Sequence, residues 1–173
     1  GTSAQKALFD ECADIVKRFY PQAISHLASS HSMHDEELRY DMVRAGICAY
    51  SGAMSVFSQV VETRRLKAGD IVGYGGDPLK KDTNVAYIFG GYADGICREN
   101  PSGVRINGRY CKAVGIACMD VFAVDTEEYE AQIGEEAVLL DGETALQAAN
   151  ERKTVEYCVY TAFSRSRSVC KKI

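Results

Sequence analysis

Much that other protein classes require is missing from this chain. Three prolines in 173 residues and no Gly-X-Y repeat exclude a fibrous, collagen-like protein. No run of eighteen apolar residues occurs, so no membrane-spanning helix is expected. The seven cysteines contain no C-x-x-C pair and the N-terminal stretch has no signal-peptide pattern, which points to reduced thiols in a cytoplasmic setting. His26, His31 and His34 lie close together but lack cysteines at fixed spacing, so no metal site is expected. Nor does a P-loop continuation follow Gly75-Gly76, and no local signature makes a cysteine a nucleophile, so the thiols read as buried and structural. Twenty basic residues against twenty-four acidic ones leave no general field for nucleic acid. The one basic aromatic patch, Tyr110 with Arg105, Arg109 and Lys112, is a weak candidate for RNA.

What is present is an ordinary globular composition, 46% hydrophobic and 25% charged, in a chain long enough to bury roughly 70% of its unfolded surface. Ala7, Leu8, Cys12, Ile15, Val16 and Phe19 recur at helical spacing, which predicts a helix over 4–19 with one buried stripe, Ser3 as its N-cap and Pro21 beyond its end. A short strand over 23–27 and a second apolar piece within Tyr40–Tyr50 follow, the rhythm of βα units in a parallel sheet. Two strands and one helix cannot cover a sheet. Residues 1–52, which begin Gly1-Thr2-Ser3 without methionine, therefore read as the last βα elements of a larger α/β barrel.

After Gly52 the period changes. Strands are predicted at 56–61, 71–74, 85–89, 104–106, 111–116, 121–124, 137–140 and 157–160, with a helix near 142–151. Turn signals such as Asn107-Gly108 and Asp141-Gly142 separate them. This is the pattern of a mostly β barrel or sandwich, assigned to residues 53–173, with a basic C-terminal end over 163–173.

Three constellations carry chemistry. Gly90-Gly91-Tyr92-Ala93-Asp94-Gly95 follows a strand, so Tyr92 is either displayed as a general acid or base or packed in a tight turn. Cys118-Met119-Asp120 places a carboxylate at a strand end, where it orients a substrate or closes its own turn. In Asp41-Met42-Val43-Arg44-Ala45-Gly46-Ile47, an arginine in an apolar strand demands an anionic or hydrogen-bonding partner. That partner is either a ligand, with the Gly46 and Ile47 N–H groups forming a small anion nest, or a buried carboxylate.

Taken in order, these pieces resemble the C-terminal part of the alanine racemase family. His26-Leu27-Ala28-Ser29-Ser30 is similar to its H-x-A-N-S motif, and Asp41 to Tyr50 with Gly52 to its D-M-V-R-P-G-I-A-L-Y-G segment. Leu66 to Asp70, Gly73-Tyr74-Gly75, Gly91-Tyr92-Ala93-Asp94-Gly95 and Val114 to Asp120 follow in the family's order, and Thr154 to Arg165 resembles its closing strand. The resemblance implies a homodimeric isomerase that interconverts L and D amino acids with pyridoxal 5'-phosphate, in the service of cell wall biosynthesis. Ser30 with the N–H groups of Gly46 and Ile47 would hold the cofactor phosphate, and Arg44 would donate to the ring nitrogen. Tyr92 would be one of two proton-transferring bases, reaching a partner subunit's barrel. Met119 would line the substrate carboxylate site, with Asp120 beside it. Departures stand at Ser29, Ala45, Ile116, Val121, Ser164 and Ser166-Arg167, so alanine and serine both remain as substrates. The family's lysine that binds the cofactor covalently has no match here, since Lys6 and Lys17 fall on the first helix. The isolated chain is therefore expected to be inactive, and to associate with a copy of itself or with the missing barrel. The alternative is a non-catalytic dimerisation or β-barrel binding module.

Overall fold

A computed structural model of the chain describes residues 2–28, 30–49 and 52–163. The expectations attached to Ser29, Tyr50, Ser164, Arg165 and the remainder of the basic end fall outside the described residues. Two units divide the chain, 1–51 and 52–173.

In the first unit, helix α1 (Thr2–Phe19) precedes two short strands, β1 (His26–Ala28) and β2 (Met42–Arg44), which pair in parallel. The helix stops two residues before Pro21, as the ring demands. Ser3 lies inside it and is not its cap. The expected buried stripe is also overturned: Leu8, Ile15, Val16 and Phe19 are exposed. The half-buried positions are Lys6, Phe9, Asp10, Ala13 and Lys17, again at helical spacing. Polar ties and one aromatic contact select that face. Phe9 meets Tyr40 edge-on at 4.9 Å between ring centroids. Asp10 takes a hydrogen bond from the Tyr40 hydroxyl at 2.5 Å and an ion pair from Lys6 at 2.8 Å. A pair of three-residue strands has no face wide enough to cover the apolar side of an eighteen-residue helix.

The second unit is a closed barrel of six strands. They are β3 (Val56–Leu66), β4 (Thr83–Phe89), β5 (Val104–Ile106), β6 (Arg109–Val114), β7 (Val121–Glu127) and β8 (Glu136–Leu140), in the order β3-β4-β7-β6-β5-β8. The mostly β class expected for this part of the chain is the one observed. Closure depends on the eleven-residue β3. Its first residues pair with β8 and its later ones with β4, with an irregularity between Val60 and Glu62 that turns the strand. The Asn107-Gly108 hairpin forms as expected, both residues at positive φ (49° and 75°), as a two-residue turn matching strand twist requires. Alternate residues point inward, and Val60, Ile88, Val104, Ile106, Phe122, Val124 and Ala137 fill the interior.

Two expected strands do not form. Residues 71–74 run as a loop over the outside of the barrel, where Val72 joins Val85 and Ala123 in a small second apolar cluster. Gly73, Gly75 and Gly76 all have positive φ there, which an extended ladder does not accommodate. Residues 157–160 lie in a helix, α3 (Glu156–Ala162), after α2 (Gly142–Arg152). Six strands already close the sheet, leaving no edge for another, and the apolar run buries Val159 and Tyr160 from a helix instead. The thiols also depart from expectation. Among the described cysteines only Cys111 is buried; Cys12 and Cys158 are exposed. Burial pushes the Cys111 thiol up to about 11, which keeps it protonated and unreactive at neutral pH.

Asp141 caps α2, its Oδ1 accepting the N–H groups of Glu143 (3.0 Å) and Thr144 (2.8 Å), and Arg105 pairs with both Asp141 and Glu143. Desolvation works to raise the Asp141 carboxyl, but its Thr144 bonds and Arg105 together hold it below the usual value. The stabilisation is therefore complete above the unfolded carboxyl value and disappears as pH falls through the lower folded one. Acid titration of unfolding should show that loss in the native sequence and a flatter profile in Asp141→Asn. Denaturant melts of Phe122→Ala are expected to show a loss of about 3–5 kcal/mol, from lost burial plus a cavity.

Candidate functional site

Strand β4 delivers the chain to Gly90, whose φ of +114° turns it sharply. Gly91 comes next, and a Cβ there would stand 2.2 Å from the Cys118 carbonyl oxygen and 2.4 Å from the Met119 carbonyl carbon. Only a residue without a side chain allows two backbones to approach so closely. Across the contact the Tyr92 N–H donates to Cys118 O (3.0 Å), Ala93 N–H to Met119 O (3.2 Å) and Gly90 N–H to Asp120 O (2.7 Å). The Asp94 carboxylate accepts the Gly91 N–H at 2.9 Å, and Gly95, at φ +103°, closes the 3-10 turn Tyr92–Asp94. The Cys118–Asp120 segment is itself a tight turn before β7, with Cys118 N–H donating to Val121 O.

Two motifs that are 27 positions apart in the chain therefore form one knot at a barrel end. Tyr92 is 45% exposed and Met119 51% exposed, while Asp120 is half-buried. Among the described residues the Tyr92 ring is not enclosed. Asp94, to which the sequence motif assigns no role, is the acceptor that fixes Gly91. Ile116, where the resembling family carries arginine, is half-buried, and its carbonyl oxygen lies 2.6 Å from a Cβ placed on Gly73.

In the first unit Ser30, Gly46 and Ile47 come together. The Ser30 Oγ accepts the Cys48 N–H at 3.1 Å and stands 3.8 Å from a Cβ placed on Gly46. Gly46 precedes the 3-10 turn Ile47–Ala49, whose opening N–H groups have no acceptor within the turn. Because Ser30 already accepts from Cys48, its hydroxyl proton is left to donate. A hydroxyl donor beside the opening N–H groups of a turn suits a phosphate dianion. Arg44 closes β2 opposite Ala28 with its side chain exposed, so the desolvation expected for an embedded arginine is not seen, nor, among the described residues, is a buried carboxylate partner.

Other candidates recede. Among the described residues no group of three His, Cys, Asp or Glu is arranged to hold a metal, and no helix is long and apolar enough to cross a membrane. In the basic aromatic patch, Arg105 is committed to Asp141 and Glu143. Tyr110 is committed too, donating to Glu151 at 2.8 Å and accepting from Gly103 N–H at 3.1 Å. Burial and the Glu151 carboxylate both push the Tyr110 hydroxyl up.

Residues 53–170 match the family described as alanine racemase, C-terminal domain. The chain belongs to the alanine racemase family. An alanine racemase of Thermodesulfovibrio yellowstonii is 32% identical over 94% of this chain and 49% of its own length. Another, of Mycobacterium avium, is 36% identical over 80% of this chain and 42% of its own length. The chain thus spans about half the length of the curated relatives it matches. A solved alanine racemase of Bartonella henselae, with covalently bound pyridoxal phosphate, superposes with a TM-score of 0.75 at 24% identity, over 95% of this chain and 50% of that one. That likeness concerns the fold, which is the one expected for the racemase C-terminal barrel with short α/β elements ahead of it.

Gly91→Ala is expected to destabilise the barrel by about 3 kcal/mol, since either the Tyr92 turn or the Cys118 turn must yield. Equilibrium unfolding of the variant checks it; a melt equal to the native one would show that the two turns do not need their close approach.

Proposed function

We propose that this chain supplies the C-terminal half of a pyridoxal-phosphate-dependent racemase of alanine or serine, with residues 1–52 as the end of its cofactor-binding barrel and 53–173 as its β-domain. The observation that carries the reading is the knot of two turns that leaves Tyr92 and Met119 exposed side by side in sequence-distant loops. Nothing in a self-sufficient binding barrel calls for a tyrosine pinned at backbone level yet open to solvent.

In this reading the Ser30 hydroxyl and the N–H groups of Gly46 and Ile47 hold the cofactor phosphate, and Arg44 donates to the ring nitrogen. When bound, the cofactor supplies a sink for negative charge at the substrate α-carbon. Arg44, permanently charged, would hold that nitrogen by donating to it and would leave no acceptor there for a second proton. The Tyr92 hydroxyl moves the α-proton on one face of the substrate. Met119 lines the carboxylate end, with Asp120 beside it. The partner is a second copy of the same enzyme, into whose barrel Tyr92 reaches. No lysine of this chain matches the family's covalent attachment point, so the other base comes from outside it, and the 173-residue chain alone does not turn over substrate.

Tyr92→Phe, introduced into the whole enzyme that contains this chain, is expected to lower kcat for both directions by about 10²–10⁴-fold, measured by following interconversion of the two alanine enantiomers. Turnover that survives in both directions would remove Tyr92 from the proton path.

A further inference from the structure

We propose that Asp41 is the positioning residue for the anion cradle of Ser30, Gly46 and Ile47, acting through the register of β1 against β2. This rests on the reading of that cradle as a phosphate site and names what holds it in shape.

Asp41 stands directly before β2. Its Oδ2 accepts the Ser25 N–H at 2.8 Å and the Lys17 ammonium at 2.7 Å, and its own N–H donates to the Ser25 carbonyl at 3.0 Å. Three bonds therefore fasten the start of β2 to the segment leading into β1 and to the last turns of α1. The ladder they serve has three residue pairs, His26 with Met42, Leu27 with Val43 and Ala28 with Arg44. So short a parallel pair has little register preference of its own. A slip of one residue displaces Gly46 along the strand by about 3.3 Å relative to Ser30. That is more than the Cys48 N–H bond to Ser30 Oγ, now 3.1 Å, can absorb.

A second observation marks the same junction. Tyr40, the residue before Asp41, has φ +38°, a region that large side chains rarely enter. It is held there by its hydroxyl on Asp10 and its ring against Phe9, both on α1. Strain of this kind persists only where surrounding bonds over-determine it. The peptide joining Tyr40 to Asp41 is thus anchored on both sides, to Asp10 near the middle of α1 and to Lys17 near its end. Asp41 carries the same sign of charge as the anion, so its part is to place the donors and not to bind.

The test uses the isotopically labelled 173-residue chain and two variants, Asp41→Ala and Asp41→Asn. Amide exchange at Cys48 reads the cradle without ligand, and titration with inorganic phosphate reads the Gly46 and Ile47 amides. Asp41→Ala is expected to speed Cys48 exchange and weaken the phosphate response by about tenfold each, the loss of a bond to a charged acceptor. Asp41→Asn keeps an oxygen for the Ser25 N–H and should recover most of both, while Ile106 in the barrel stays protected throughout. Unchanged Cys48 exchange and phosphate response in Asp41→Ala would overturn the positioning role and leave the cradle standing. Equal loss in Asp41→Asn and Asp41→Ala, or loss of Ile106 protection alongside Cys48, would overturn it as well. If phosphate leaves Gly46 and Ile47 unmoved in the native sequence, the cradle reading and this inference fall together.

Discussion

The passage of one backbone across another at Gly91 is the constraint from which the rest of the barrel's exposed chemistry follows. The Cys118 carbonyl occupies the space a side chain at position 91 would need, so the chain, turned at Gly90, can pass the second backbone only with glycine at position 91. Once the two turns are in contact, three backbone bonds and the Asp94 carboxylate fix Tyr92 at its main chain. The ring itself is left 45% exposed. Rigidity comes from the peptide and exposure is left to the side chain, which is how a scaffold presents a side chain without burying it.

A related division of labour holds in the first unit. There Ser30, Gly46 and Ile47 lie just beyond the ends of two very short strands, and sheet pairing alone is a weak guarantee of their spacing. Charged side chains of α1 and its neighbours supply what the ladder lacks: Lys6 with Asp10 and Tyr40, Lys17 with Asp41. The helix is thereby fastened by polar contacts while its apolar stripe faces outward.

How much of this was legible in the sequence varies from element to element. The strands of the barrel were visible because alternation and turn residues are local signals; Asn107-Gly108 marked a hairpin and Asp141-Gly142 the break before a helix without any knowledge of partners. Residues 71–74 and 157–160 have the same apolar character but become a loop and a helix. The glycines at 73, 75 and 76 decided the first; the second turned on whether the sheet still had a margin to offer, a property of the whole barrel that no short window contains. The motif of Tyr92 was legible as a turn, and its meeting with Cys118 and Met119 was not, because nothing in either segment announces the other; only the family resemblance set them side by side. Arg44 lies in an apolar stretch yet is exposed, since an apolar neighbourhood in sequence need not be an apolar neighbourhood in space. Asp41 and Lys17 lie 24 positions apart, and no spacing rule links a helix end to a residue that distant.

Closure of the barrel has a consequence of its own. Each of its six described strands has a neighbour on both sides, so none is left to zip onto a strand from another molecule. Whatever this domain recruits, it must do so through side chains and loop tips, by shape and chemistry instead of main-chain templating. That restriction guards a rim bearing an uncovered phenol and thioether against the indiscriminate ribbon growth that open sheets invite.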